Sequence, residues 1–143
     1  MKMRLLVPVA VACAAFVSGI AVAQKSVPLS KLPFSPSRKA GDTLYVSGQI
    51  PRTADGKDVR DSVEAETRQV MENIGRILRE GGMSFDDVVN ATVYLKDIND
   101  YQEMNKVYAS YFKGPFPARA CVGGVDLVFG FKVEISCVAH RAK

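Results

Sequence analysis

Residues that commonly carry nucleophilic or metal chemistry are scarce in this sequence. Among its 143 residues there are one histidine, His140, three cysteines and no tryptophan. A Ser-His-Asp triad, a Cys-His pair and a histidine-rich metal site each need a histidine placed by its partners, so these sites are nearly excluded. The composition, 48% apolar and 24% charged, is ordinary for a globular domain and excludes disordered and low-complexity classes.

Acidic residues are absent from residues 1–23, in which almost every side chain is apolar. Lys2 and Arg4 lie near the start of this segment, a long apolar run follows, and an Ala-Val-Ala motif ends it at Ala23. The pattern predicts a signal peptide that is cleaved after Ala23, so we expect a periplasmic or secreted protein without a stable membrane anchor. An uncleaved anchor and a lipoprotein modified at Cys13 are the alternatives.

Removal of this segment leaves residues 24–143, which we expect to form a single domain. The 19 basic residues fall to 17 when Lys2 and Arg4 leave, against 15 acidic residues, so the formal charge falls from +4 to +2. This weak charge gives no reason to expect a nucleic-acid partner. Two cysteines remain, Cys121 and Cys137, and the predicted strand register directs them to opposite faces, which indicates free thiols rather than a disulfide.

Hydrophobic periodicity predicts the element order β-β-α-β-α-β-β in this domain. The first helix is expected to begin behind Asp61 as its N-cap and to end at Gly81, and the second to run from Asn99 to Gly114. Two helices on one face of a mainly antiparallel sheet are the simplest packing, so we predict an α+β domain. The predicted strands lie just before Gly41 and at residues 42–47, 88–95, 118–125 and 131–139.

The opposite face of that sheet also needs a cover. The predicted strands carry apolar residues on both faces, and those expected to face water include Val93, Val122 and Val133 or their neighbours. Because the predicted domain has two helices and both lie on one face, a second copy of the chain is the simplest cover. We therefore expect an oligomer.

Two ionisable residues stand out in apolar strands, Arg119 and Glu134. If the last two strands form a hairpin that turns near residues 127–128, Cys121 lies opposite Glu134 and Arg119 shares their face. The register therefore predicts a patch that combines a cation, a thiol and a carboxylate. Taken singly, each residue also has an ordinary explanation, as a surface ion pair, a solvent-facing strand residue or a small buried side chain.

Four motifs in the chain resemble those of one known family. They follow one another in the family's order and extend over essentially the whole of the predicted domain. The chain is similar to the RidA (YjgF) family at residues 43–51 (TLYVSGQIP), 88–97 (VVNATVYLKD), 104–108 (MNKVY) and 116–121 (FPARAC).

This resemblance implies both a fold and an activity. Members of the family have a chorismate-mutase-like α+β subunit, assemble as homotrimers and place their sites in clefts between subunits. The resemblance implies a 2-iminobutanoate/2-iminopropanoate deaminase, which hydrolyses reactive imines and enamines such as 2-aminoacrylate to the 2-keto acid and ammonia. It also implies that no organic cofactor and no metal is needed, and that the partners are the small imine or keto acid and further copies of the chain.

The resemblance also assigns roles to individual residues. Arg119 matches the arginine that binds the substrate carboxylate, and Glu134 matches the glutamate that helps to position water. Two departures from the family pattern affect the mouth of the cleft: Phe34 stands where an aromatic hydroxyl is usual, and Asp126 where an arginine is common. The further matches to substrate-contacting positions are Ser47, Asn105 and Cys121, with Phe34 as the altered one.

Other functions remain open at this point. The chain is alternatively a non-catalytic module that binds small carboxylates, or a stress protein with chaperone-like behaviour. Ribonuclease activity, which is also associated with the family, has less support because the domain is weakly charged and lacks a pair of histidines.

Overall fold

The computed structural model describes residues 33–141. The predicted signal peptide, residues 1–23, lies outside the described residues. The predicted order β-β-α-β-α-β-β is confirmed, and no helix in the described part is long and apolar enough to cross a membrane. The elements are β1 (Ser37–Ala40), β2 (Thr43–Gln49), α1 (Val63–Glu80), β3 (Val88–Leu95), α2 (Tyr101–Ala109), β4 (Ala118–Gly123) and β5 (Val133–His140).

The five strands form one mixed sheet in the order β1-β2-β5-β3-β4. All neighbouring strands are antiparallel except β3 and β4, which are parallel because α2 connects them as a crossover. The predicted hairpin between β4 and β5 is therefore wrong, since β3 lies between these two strands. The mainly antiparallel character of the sheet is confirmed.

Helix α1 supplies most of the helical side of the core. The sequence places its apolar residues at helical spacing, and they are buried against the sheet as predicted. Ser62, rather than the predicted Asp61, caps the helix, because its Oγ accepts a hydrogen bond of 3.2 Å from the backbone N–H of Ala65. Gly82 follows the end of the helix with φ +76°, a conformation that glycine adopts without strain. The buried apolar residues of α1 are Val63, Val70, Met71, Ile74, Ile77 and Leu78.

A β-bulge changes which residues of β3 reach the core. Strict alternation predicts Val89 on the same face as Ala91, but the register of β3 with β5 shifts between Val88 and Asn90. As a result Val88 is buried, whereas Val89 is 49% exposed. Beyond the bulge the alternation is regular, and Ala91, Val93 and Leu95 are buried together on one face.

The face of the sheet away from the helices is uncovered in the single chain. Of the valines named as outward-facing candidates, Val93 and Val133 are fully buried against the helices, and their neighbours Tyr94 and Glu134 face the open side instead. Val122 does lie on the open face and is 42% exposed, together with the half-exposed ring of Tyr45. Side chains alternate between the two faces along a strand, so a shift of one residue in the register exchanges the buried and exposed sets.

Candidate functional site

Arg119 lies on the helical side of the sheet, beneath α2. The register of β4 pairs Arg119 with the buried Ala91 of β3, which sets the face to which it belongs. Its guanidinium carbon lies 4.7 Å from the ring centroid of Tyr108 and 5.7 Å from that of Tyr101. One of its nitrogens, Nη2, donates a hydrogen bond of 3.2 Å to the Tyr101 hydroxyl. Two tyrosines of one helix thus hold the cation.

The guanidinium of Arg119 keeps most of its hydrogen-bonding capacity unused. Within residues 33–141 no carboxylate lies at ion-pair distance from it. A guanidinium has five N–H donors. Among the described residues, the Tyr101 hydroxyl is the one acceptor that the Arg119 guanidinium reaches. Burial raises the pKa of Tyr108 to about 12, so the ring beneath the cation stays neutral. Arg119 is therefore prepared to bind an anion.

Cys121 and Asn105 belong to the same part of the molecule as Arg119. Cys121 pairs with Val93 in the sheet register and so shares the helical face. Burial raises the pKa of its thiol, although the charge of Arg119 acts in the opposite direction, so the sulfur is a neutral thiol near pH 7. Asn105 lies one helical turn after Tyr101, on the same side of α2.

The two thiols of the described chain are free, as predicted. The reason differs from the expected one, because Cys121 and Cys137 lie on the same face rather than on opposite faces. They are kept apart by β3, which separates β4 from β5 and places their backbones about 10 Å from each other. Burial raises the pKa of Cys137 to about 12, which makes it an unreactive core residue.

Glu134 lies on the opposite face of the sheet from Arg119. It alternates with the buried Val133 and Ile135 and pairs with Tyr94 in the register of β3 with β5. The predicted patch of Arg119, Cys121 and Glu134 on one face of a single chain is therefore wrong. The two charged groups are separated by the thickness of the sheet as well as by strand β3.

The Glu134 carboxylate lies directly over Gly48 of β2. A Cβ atom at Gly48 would come within 2.0 Å of Glu134 Oε1, so this close approach requires glycine. Burial raises the pKa of Glu134, because the carboxylate loses water and no cation of residues 33–141 forms an ion pair with it. The carboxyl group is thus poised to take up and release a proton nearer to neutral pH than an ordinary glutamate.

Ser47 directly precedes Gly48, which contacts Glu134, and so lies on the Glu134 side of the site rather than with Arg119. The Ser47 hydroxyl donates a hydrogen bond of 3.0 Å to the carbonyl oxygen of Pro36 and accepts one of 3.2 Å from Gln49 Nε2. The bond to Pro36 attaches the segment before β1 to the end of β2. Phe34 belongs to that segment, and its ring is 57% exposed.

Replacing Gly48 with alanine is expected to push the Glu134 carboxylate out towards solvent, because the end of a flexible side chain moves more easily than the sheet. The pKa of Glu134 should then fall back towards its ordinary value, which a carbon-detected NMR titration would measure. Gly114→Ala is the matched control, since a Cβ there meets nothing within 4 Å. An unchanged Glu134 pKa in Gly48→Ala would contradict this account of the site.

The sequence did not identify Tyr101 as part of the site, and it marked Gly48 only as a member of the motif at residues 43–51, without its contact to Glu134. Tyr101 and Tyr108 are seven residues apart, two helical turns, which places them on one stripe of α2, but such a stripe usually faces a core. Gly48 is the second-last residue of β2. A glycine within a strand often marks the close approach of another group. What it approaches, Glu134, is 86 positions away in sequence and is brought there by the pairing of β2 with β5.

The site residues thus form two groups with complementary chemistry. Around Arg119, a cation, a neutral thiol and an amide can bind a small carboxylate. Around Glu134, a carboxyl group with a raised pKa can hold water and exchange a proton. Within residues 33–141 no three His, Cys, Asp or Glu side chains are grouped so as to hold a metal ion.

Comparison with known proteins gives consistent matches over this same region. The family model described as Endoribonuclease L-PSP matches residues 24–141. A RutC family protein of Pyrococcus horikoshii is 44% identical over 110 residues, which cover 76% of this chain and 87% of that protein. The chloroplastic Reactive Intermediate Deaminase A of Arabidopsis thaliana is 38% identical over 121 residues, covering 82% of this chain and 64% of that protein.

Solved structures share the fold as well. The crystal structure of RidA from an Antarctic Psychrobacter superimposes with a TM-score of 0.75 and is 34% identical, covering 80% of this chain and 93% of that one. The matched part of the chain contains both the Arg119 group and the Glu134 group.

Proposed function

The chain belongs to the Endoribonuclease L-PSP (RidA) family, and from this membership we propose that it hydrolyses small 2-imino acids and their enamine tautomers, such as 2-aminoacrylate, to 2-keto acids and ammonia. The observation that carries the proposal is the guanidinium of Arg119, which is held by two tyrosines and has no carboxylate partner among the described residues. The relative named Reactive Intermediate Deaminase A supports the same chemistry.

In the proposed reaction Arg119 binds the substrate carboxylate through two parallel N–H donors and so fixes the position of C2. A water molecule adds to C2 of the imine, its proton passes to the nitrogen, and a carbinolamine results. The C–N bond then breaks as the hydroxyl loses its proton, which releases ammonia and the 2-keto acid. Glu134 holds the water and carries the proton between oxygen and nitrogen, a role that a raised pKa favours.

Both residues act on one substrate in this proposal, yet they belong to opposite faces of the sheet in one chain. We therefore place the site between subunits, with Arg119, Asn105 and Cys121 from one subunit and Glu134 with Ser47 from the next. A homotrimer of this kind would also cover the open face that carries Val122 and Tyr45.

The test of the activity is a coupled assay in which 2-iminopropionate and 2-iminobutanoate are generated in place. We expect the purified domain to accelerate the appearance of keto acid and ammonia in equal amounts. No acceleration by the folded protein, with either imine, would reject the deaminase. If the protein then binds a 2-keto acid without turnover, it is a carboxylate-binding module. The observation that favours this second function is Phe34, which lacks the aromatic hydroxyl usual at this position in the family.

The location of the protein is a further part of the proposal. We propose that the chain is exported and that cleavage after Ala23 releases a domain beginning at Gln24, the residue at which the family match also begins. Amino-terminal sequencing of the protein from a cell envelope fraction should read from Gln24. A full-length chain that retains Met1 and stays with the cytoplasm would contradict export.

A further inference from the structure

Tyr101 makes the one hydrogen bond that the described residues offer to Arg119, although the family motifs assign it no role. It is the first residue of α2, is half-buried and packs against the hydrophobic core. We infer that Tyr101 is a positioning residue, which fixes the guanidinium plane of Arg119 in the orientation that a carboxylate needs. This inference rests on the proposed function, because it concerns the anion that Arg119 binds.

The two tyrosines restrain different motions of the same group. The guanidinium carbon lies over the face of the Tyr108 ring at 4.7 Å from its centroid, and this contact limits movement of the cation towards or away from the ring. Stacking on a ring, however, leaves the cation free to rotate within its own plane. The hydrogen bond from Nη2 to the Tyr101 hydroxyl removes this rotation. Bidentate recognition of a carboxylate depends on that orientation, because two adjacent N–H groups must point at the two oxygens together.

The backbone of Tyr101 is itself fixed by hydrogen bonds at the start of α2. Its backbone N–H donates to the carbonyl oxygen of Ile98, which closes a single turn of 3₁₀-helix immediately before α2. The Asp97 carboxylate accepts a hydrogen bond of 2.9 Å from the backbone N–H of Asn99 and so caps the same turn. Since these contacts involve the backbone, they remain when the Tyr101 side chain is changed.

The variant Tyr101→Phe distinguishes the contribution of the Tyr101 hydroxyl from that of its ring. It retains the packing against the core and the aromatic contact with the cation, and it removes the hydrogen bond alone. We expect the Kd for 2-oxobutanoate, measured by calorimetry, and the KM for the imine to rise about five- to tenfold, with kcat changed less than twofold. In an Arg119→Ala background, Tyr101→Phe should have no further effect, because the two residues act as one unit.

Tyr111→Phe is the matched control. It also removes one tyrosine hydroxyl, from the segment just after α2, but that hydroxyl donates to Glu72 of α1 at 2.8 Å and not to Arg119. We expect wild-type binding for this control. A second measurement needs no ligand: the Nε–Hε resonance of Arg119 in nitrogen-proton NMR spectra should shift and broaden in Tyr101→Phe and stay unchanged in Tyr111→Phe.

The outcomes distinguish this inference from the proposed function. If Arg119→Ala abolishes binding of 2-oxobutanoate whereas Tyr101→Phe binds like the wild type, the positioning role is rejected and the proposed function stands. If Arg119→Ala binds the keto acid as well as the wild type does, the proposed function itself fails. An Arg119 resonance that is the same in Tyr101→Phe and the wild type also overturns the positioning role.

Discussion

Replacing Arg119 with alanine is expected to lower kcat/KM for 2-iminopropionate by roughly 30- to 5,000-fold, because losing one partner of a desolvated charge pair costs about 2–5 kcal/mol. The substrate carboxylate would then enter a half-buried site between β4 and α2 without a counter-cation. Most of the loss should appear in KM, since Arg119 contacts a part of the substrate that does not react. The coupled assay with both imines measures this effect.

The control for this variant is Arg76→Ala. Arg76 is also an arginine, but it is exposed on α1 and pairs with Glu80 at 3.0 Å, far in sequence from the site strands. We expect unchanged kinetics for Arg76→Ala and an intermediate loss for Arg119→Lys, which keeps the charge but not the planar fork. Equal rates of ammonia release by the wild type and Arg119→Ala, with both folded by circular dichroism, would remove the basis of the proposed function.

Mixing two inactive variants is expected to restore activity. Each proposed cleft takes Arg119 from one subunit and Glu134 from the next, so trimers assembled from Arg119→Ala and Glu134→Gln chains contain some clefts with both native residues. With equal amounts and random assembly, about a quarter of the clefts are complete. The mixture, refolded together or coexpressed, should therefore regain up to about a quarter of the wild-type rate.

The control for the mixing experiment carries both substitutions on one chain. When this double variant is mixed with wild-type chains in equal amounts, the intersubunit arrangement leaves about a quarter of the clefts complete, whereas a site within one chain would leave about half. Mixtures of the two single variants that stay inactive, while size-exclusion chromatography confirms that they form mixed assemblies, would mean that Arg119 and Glu134 do not meet across a subunit boundary.

Local sequence patterns predicted the elements of this fold well but did not predict how the strands pair. The spacing of the apolar residues in α1 predicts one buried face directly, because an α-helix completes a turn every 3.6 residues. The pairing of β4 with β3 rather than with β5 depends instead on the crossover through α2, which no local pattern encodes. That one difference moved Arg119 and Glu134 from a shared face to opposite faces.

The same contrast applies to the candidate site. Arg119 and Glu134 could be found in the sequence because a charge in an apolar strand is uncommon. Tyr101 could not be found in this way, and neither could the role of Gly48 within its motif, because both depend on contacts with residues distant in sequence. The bulge at Val88 shows a similar limit, since a single extra residue reverses the direction of the side chains before it, and the sequence of β3 carries no signal for it.

The parallel pairing of β3 with β4 has a consequence for how the site is assembled along the chain. The half proposed to bind the substrate carboxylate belongs to one continuous β-α-β unit, residues 88–123, whose contacts are comparatively local in sequence. The half around Glu134 joins Gly48 near one end of the domain to β5 near the other, so it exists only after the most distant segments have met. In the proposed reaction, anion binding would therefore need only residues 88–123 to be folded, whereas hydrolysis would need the whole domain to be folded. A chain loosened at β1 and β2 should keep its affinity for keto acids longer than its turnover.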